Sequence, residues 1–519
     1  MILSGVRRHN KVNKGYLQSF LTGQMTSTSV GIIARECHKG AMALRRHNSF
    51  YSNGQVTNLP PPKSHIHLIG IGGTGLSNIA YYLSSRGYKI TGSELQHNPA
   101  TDWLKREGIK VFQSHKVSNI LSDTKLIIKS AAVRDNNPEI KEALRLKIPV
   151  IKYAQALGLL MAEKTGIAIS GTHGKTTTTA LISYLLSKAK LNPSFMVGGV
   201  LRDFESGSVF GKGRHFVAEA CEYDRSFHHL PAKIKIINNI EPDHMDYYKT
   251  WAKLVESFRQ FIATTPRDGF VIANMANSGV RECLRKKIDA HIIAFGPMPS
   301  RACQWYPKNI RVINDRWHFE VWHKGRKYGN FVNSLPGEHN ILNAIVAIIV
   351  ADILKVNKNI IRKALAGFKG VHRRFEIVGR VKGRLVIDDY GHHPTELKTV
   401  VDTARKLFPE RRRWLIFQPH LYSRTKLFLN DFAKVLSGNE IVLIPPIYAA
   451  RDVTPAQRVT SSEELVKRIV HYGGRAKYLP DFPSTVKYLK ENTIPGDVII
   501  TIGAGDVWEI GQELIKQLK

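Results

Sequence analysis

The chain has no run of about 18 or more apolar residues, the length a membrane-spanning helix needs, so no membrane insertion is expected. Cysteine is scarce. The four present, Cys37, Cys221, Cys283 and Cys303, form no C-x-x-C pair and no regular framework, which argues against a disulfide scaffold and fits a reducing compartment. Acids are few: 42 Asp and Glu stand against 76 Lys and Arg, for a net charge of +34. Such an excess can mark a nucleic-acid binder. Here the basic residues are spread along the chain, and zinc-finger spacing, an RNA-recognition signature and a homeodomain-like helix set are all missing. The expectation is therefore a basic surface suited to anionic substrates, with no specific nucleic-acid partner. Internal repeats and low-complexity tracts are also lacking. What remains is 519 residues, 43% apolar and 23% charged, enough for roughly three soluble domains of about 150 residues each.

Residues 1–62 differ from the rest. Arg7, Arg8, Lys11, Lys14, Arg35, Lys39, Arg45 and Arg46 face one acid, Glu36, among scattered serines and threonines. This suits an organelle transit peptide, and equally a disordered basic tail or a start misassigned upstream of Met25 or Met42. The expected location is cytoplasmic, or an organelle if the leader directs import. After Pro60-Pro61-Pro62, strands and helices alternate. Apolar strands at 65–69, 88–91, 126–129 and 150–151 predict one parallel sheet. Those at 167–169, 216–218, 234–238 and 270–273 predict a second, and those at 385–387, 414–417, 441–444 and 498–502 a third. The predicted units are 63–157, 158–368 and 369–519, all α/β.

The most telling stretch is Ile167-Ala-Ile-Ser-Gly-Thr-His-Gly-Lys-Thr-Thr-Thr-Thr. A strand runs into a turn over Gly171, Thr172, His173 and Gly174, then Lys175, Thr176 and Thr177 open a helix. Glycines let backbone N–H groups curl around an anion, and the helix N-terminus adds positive potential. A lysine can then reach the outer phosphates of ATP, and the following threonine is placed for Mg2+. Ile169 stands where the strict G-x-x-x-x-G-K-[ST] pattern has its first glycine, so this is a shortened phosphate loop or, less specifically, a plain glycine turn.

Gly70, Gly72, Gly73 and Gly75 follow the first strand, and Glu94 lies 19 residues beyond Gly75. That arrangement suits a diphosphate at a strand-to-helix turn, from a dinucleotide or a nucleotide-sugar, or a structural turn only. The runs Ala218-Glu-Ala-Cys-Glu-Tyr-Asp224 and Asn239-Ile-Glu-Pro-Asp-His-Met-Asp246 offer oxygen ligands and an imidazole at adjacent strand ends. They suit a divalent cation beside phosphates, or solvated loop acids. In Gly337-Glu-His-Asn-Ile-Leu-Asn343, two amides one turn apart can read an adenine edge, although Asn340 can equally cap a helix. Polar groups at 388–396 and 418–425 each follow a predicted strand, where α/β folds place ligand groups.

Taken in order, GIGGTGLS, SGTHGKTTTT, EPDHMD, GEHNILNA, RRFE, DDYGHHPTE, QPHLYSRT and IGAGDVWE resemble the Mur ligases from His65 to Trp508. Within them they resemble the branch that joins L-alanine to UDP-N-acetylmuramate. The resemblance implies an N-terminal Rossmann-like UDP-binding domain, a central P-loop-type ATPase domain and a C-terminal Rossmann-like domain, as a monomer or homo-oligomer. Gly70, Gly72, Gly73, Gly75, Ser93 and Glu94 would cradle UDP. Lys175 would hold the outer phosphates, Thr176 a first Mg2+, and Glu219 and His244 a second. Asn340 and Asn343 would face adenine, and Arg374 would reach the phosphates on domain closure. Tyr390, His392 and Arg424 would line the muramoyl and alanine sites, with His392 a candidate base. The chain departs from the family at Cys221 and Tyr223, where aspartate and serine are usual, and at Leu421, where arginine is usual. A related branch, which rejoins a whole peptide to UDP-N-acetylmuramate, typically has Phe-Ala where Tyr390-Gly391 stands.

Overall fold

The computed structural model describes residues 51–52 and 55–519, apart from 301, 439, 451 and 453. The leader reading over residues 1–50 thus lies outside the described residues. Its last part is described. Tyr51–Ser52 pairs antiparallel with Gln55–Val56, Val56 and Leu59 pack on a hydrophobic core, and the Tyr88 hydroxyl donates to the Pro60 carbonyl at 2.9 Å.

The first sheet has five parallel strands in the spatial order Lys110–Phe112, Lys89–Ser93, His65–Ile69, Thr124–Lys129 and Val150–Lys152. The chain reverses direction across the sheet between His65–Ile69 and Thr124–Lys129. That is the switch point beyond which α/β sheets bind ligands. Ile66, Leu68, Leu126 and Ile128 are buried, as strands covered on both faces require.

The second sheet has ten strands. Its parallel centre runs Ser194–Leu201, His215–Glu219, Thr165–Ser170, Ala232–Ile237, Phe270–Asn274 and His291–Phe295. Ser206–Val209 flanks it antiparallel at one edge. At the other, Trp305–Ile313 joins it and continues into the antiparallel strands Arg316–His323 and Arg326–Asn333. The third sheet orders Glu376–Val381, Arg384–Asp389, Val498–Ile502, Arg413–Phe417, Ile441–Ile444 and Arg475–Tyr478, parallel except for its first pair. Three α/β units were expected, and three are found.

The first two units meet closely. Helix Tyr153–Ala162 lies against the irregular turn Tyr223–His229, and a Cβ added at Gly158 would come 2.1 Å from the His229 carbonyl oxygen. Backbone on both sides leaves no room to yield. Gly158→Ala is therefore expected to destabilise the protein by about 1–3 kcal/mol, read as a lowered thermal midpoint. An unchanged midpoint would mean that the helix is not seated so tightly.

Candidate active site

Strand Thr165–Ser170 ends in the glycine turn, and helix Lys175–Lys188 begins directly after it. Gly171 (φ 134°) and Gly174 (φ 77°) take conformations that favour glycine. The turn is laced to the next strand end. Thr172 N–H donates to the Asn239 carbonyl at 3.1 Å, and His173 N–H to Asn239 Oδ1 at 2.8 Å. This corrects one expectation: the Thr172 and His173 amides shape the turn and are not free to cradle phosphate. The helix itself begins without a side-chain cap, so the first-turn N–H groups from Lys175 onward remain for an anion.

Lys175 Nζ donates to the Gly171 carbonyl at 2.5 Å and to Glu222 Oε1 at 3.0 Å. Burial opposes its charge, but Glu222 beside it holds the ammonium well above the ordinary lysine range. Glu222 is 1% exposed, and the Lys175 ammonium lies 3.0 Å from its Oε2 as well. Glu222, Asp243 and His244 bring ligand atoms within 4.8 Å of one another. Burial raises the Asp243 carboxyl, and His244 and Arg424 more than offset this, leaving it below the usual range. Glu219 is not in that cluster. Its Oε1 accepts from Gly198 N–H at 2.6 Å, and Thr176 hydrogen-bonds to it. The structure thus sets Glu219 with Thr176 and His244 with Glu222 and Asp243, where the resemblance set Glu219 with His244. Glu222 and Asp243 lie within the acidic runs, with no role implied by the resemblance. Their signal was position alone, one strand end beyond Lys175.

Asn340 and Asn343 are tied into the fold. Both are 7% exposed. Asn340 Nδ2 donates to the Pro336 carbonyl at 2.6 Å, Asn343 Nδ2 to Asn340 Oδ1 at 2.9 Å, and Thr178 Oγ1 to Asn343 Oδ1 at 3.0 Å. The amides therefore tie helix Glu338–Ile353 to the phosphate-loop helix and do not present an open edge to a base.

In the first unit, Gly70 (φ 78°) turns the chain, and Gly72 N–H donates to Glu94 Oε2 at 3.1 Å. Ser93 is fully buried and its hydroxyl donates to Glu139 at 2.6 Å. Gly73 and Gly75 line a cavity of about 390 Å³ that reaches Gly198, Glu219 and Cys221 of the second unit. A Cβ on Gly75 would strike the Tyr153 ring at 2.6 Å, which explains glycine there.

The third sheet turns its carboxyl edge onto this cleft. Arg373 is anchored, donating to Asp388 at 3.0 Å and to the Gly503 carbonyl at 2.6 Å. Arg374 lies 5.2 Å from the Tyr390 ring centre; burial raises the Glu219 carboxyl above the usual range, and Arg374 is close enough to oppose that rise in part. It has no hydrogen-bond or salt-bridge partner among the described residues. Burial, with Arg424 adding to it, keeps the His392 pKa low despite nearby Glu396, so the imidazole is neutral at pH 7. Its ring stands 5.5 Å from Tyr390. Arg424 meets His420 at 3.1 Å and Asp243 across the cleft at 3.8 Å. Thr395 Oγ1 donates to Glu241 at 3.0 Å, and His173 Nδ1 faces Glu396 at 3.1 Å, so the second and third units are docked. Leu421 is 3% exposed with φ 69°.

Comparison with known proteins gives the same picture. Residues 65–165 match the Mur ligase family, catalytic domain, 169–351 the Mur ligase middle domain, and 373–505 the Mur ligase, glutamate ligase domain. The chain is 39% identical over 456 residues to a UDP-N-acetylmuramate–L-alanine ligase of Caldanaerobacter subterraneus subsp. tengcongensis, covering 88% of this chain and 98% of that one. It is 38% identical to the protein of the same description from Acetivibrio thermocellus, covering 89% and 98%. Among solved structures, a UDP-N-acetylmuramate-alanine ligase from Thermotoga maritima superposes with a TM-score of 0.74 at 26% identity, covering 87% of this chain and 98% of that one. A murein peptide ligase from Psychrobacter arcticus gives 0.64 at 25%, covering 88% and 98%.

Proposed function

The chain belongs to the Mur ligase family, and on that premise we propose that it joins the carboxylate of UDP-N-acetylmuramate to the amine of L-alanine at the expense of ATP, in cytoplasmic peptidoglycan precursor synthesis. One observation carries the reading: a single cleft gathers an uncapped helix N-terminus behind Lys175, an acidic cluster and the unpaired guanidinium of Arg374. No helix among the described residues is long and apolar enough to cross a membrane.

An ionised carboxylate is a poor electrophile. In the proposed reaction its oxygen takes the γ-phosphoryl group of ATP, releasing ADP and leaving an acyl phosphate. The neutral amine of alanine then attacks the acyl carbon, and the tetrahedral adduct expels phosphate. The protein's share is positioning and charge. Lys175 and the first-turn amides would hold the outer phosphates, and Arg374 would meet them from the third unit. The donor chemistry suits Mg2+, with Thr176 and Glu219 on one side and Glu222, Asp243 and His244 on the other. Bound there, Mg2+ would supply neutralisation of phosphate charge. His392, in the third-unit loop, would accept the amine proton. The glycine loop and the cavity beside it would take the UDP-sugar.

Phosphate release coupled to UDP-N-acetylmuramate and single amino acids tests the proposal. L-alanine should support turnover where a tripeptide does not. Turnover with the tripeptide alone would assign the chain to the peptide-rejoining branch, and none with either would remove the ligase reading.

Cys221 offers an independent check on the sugar site. It is exposed, whereas Cys283 and Cys303 are buried. Although its surface is open, desolvation in the crowded cleft and the Glu222 carboxylate push the thiol up to about 12. Alkylation at this position should therefore keep accelerating with pH beyond about 8.5, where an ordinary thiol is half ionised. UDP-N-acetylmuramate should slow it. Mass spectrometry of the labelled peptide reads both effects, and labelling indifferent to the nucleotide-sugar would move that ligand out of the cavity.

A further inference from the structure

One side-chain cluster has no part in the chemistry above. His173 of the phosphate loop, Glu241 beyond strand Ala232–Ile237 and His393 at the head of helix Pro394–Leu407 each offer a ligand atom, all within 4.8 Å of one another. Two belong to the second unit and one to the third. His173 Nε2 stands 3.3 Å from Glu241 Oε2, an ion-pair distance. His393 is 7% exposed, and its Nε2 is buried without a partner.

A metal ion can take the place of the proton between such an imidazole and carboxylate. Bonds of about 2.0–2.1 Å to one tetrahedral ion separate neighbouring ligand atoms by roughly 3.4 Å. The outer contacts agree. His173 Nδ1 faces Glu396 Oε1 at 3.1 Å, the carboxylate partner that fixes a metal-bound imidazole with its other nitrogen free. Thr395 Oγ1 steadies Glu241 with a 3.0 Å bond.

We propose that His173, Glu241 and His393 form a transition-metal site bridging the second and third units, separate from the Mg2+-type cluster. Two imidazoles and one carboxylate select a borderline ion such as Zn2+, Co2+ or Ni2+ over Mg2+. Three protein ligands leave a fourth position for water. Binding would require His393 to present a deprotonated Nε2, so its Nδ1 gives up the long 3.3 Å bond it accepts from Thr395 N–H. An ion held here ties the phosphate loop to the third unit and keeps the cleft shut.

The test is Co2+ and Zn2+ titration of the metal-free full chain in excess Mg2+, which fills sites made of hard oxygen ligands. A tetrahedral visible Co2+ band should appear, and Zn2+ should displace it. His393→Asn keeps an oxygen able to cap the helix, so its thermal midpoint should hold while Zn2+ affinity falls at least tenfold and the band is lost. Glu241→Gln serves as a second, shape-preserving variant with the same expected loss, and His244→Ala should leave the band intact. The proposal fails if no band forms or if the band survives both His393→Asn and Glu241→Gln. It also fails if the band disappears in His244→Ala, which would place the ion in the acidic cluster.

Discussion

Replacing Lys175 with methionine is expected to cut substrate-dependent ADP formation by about 10²–10³-fold, the usual cost of losing one aligned charge-stabilising donor. UDP-N-acetylmuramate binding should stay measurable, because the glycine loop that would hold it lies in another unit. The variant has a second consequence. Lys175 is the ion-pair partner of Glu222, which is 1% exposed. Removing one member of a buried pair leaves an uncompensated charge and costs about 3–5 kcal/mol. Loss of activity in the single variant could then reflect unfolding. Lys175→Met with Glu222→Gln removes both charges, so its melting reports whether the buried charge caused unfolding. Its thermal midpoint should recover most of the loss, while ADP formation stays low. Near wild-type turnover in the double variant would end the phosphate-loop assignment.

Much of this architecture was legible because it rests on short, continuous patterns. The strands His65–Ile69, Ile441–Ile444 and Val498–Ile502 coincide with their apolar runs, since strands buried on both faces need no polar alternation. The hairpin strands Arg316–His323 and Arg326–Asn333 were not read. Their charged and apolar residues alternate, and the edge they extend is visible only once the sheet is assembled. The site divides in the same way. Gly171, Gly174 and Lys175 announce themselves locally, because the turn demands those residues. Glu222, Asp243 and Glu396 act through partners distant in sequence: Lys175 for the first, Arg424 for the second and His173 for the third. Ser93, Asn340 and Asn343 fit the ligand pattern in type and spacing. Their hydrogen bonds turn inward, to Glu139, Pro336 and Thr178, and spacing alone cannot reveal that direction. Leu421 is a similar case, a departure from the family's motif whose burial is visible only in the fold.

Arg374→Ala is expected to lower kcat by about 10³-fold with little change in ATP affinity, the scale of an arginine that meets phosphate charge only in the transition state. Its neighbour sets the contrast. Arg373 (φ 61°) and Phe375 (φ 46°) both take left-handed conformations, and Arg373 is fixed to Asp388 and to the Gly503 carbonyl. That anchored turn presents Arg374 to the cleft beside the Tyr390 ring, with no ion pair to lose. Truncating Arg374 should therefore leave the thermal midpoint unchanged. Arg373→Ala strips a partner from the buried Asp388 carboxylate and should lower the midpoint. Arg374→Lys should recover only a small part of kcat, because an ammonium lacks the planar fork that matches phosphate oxygens. The comparison is of kcat, ATP affinity and melting for all three variants. If Arg374→Ala melts early and loses activity only in proportion, Arg374 is a structural residue, and the third unit contributes no charge to phosphoryl transfer.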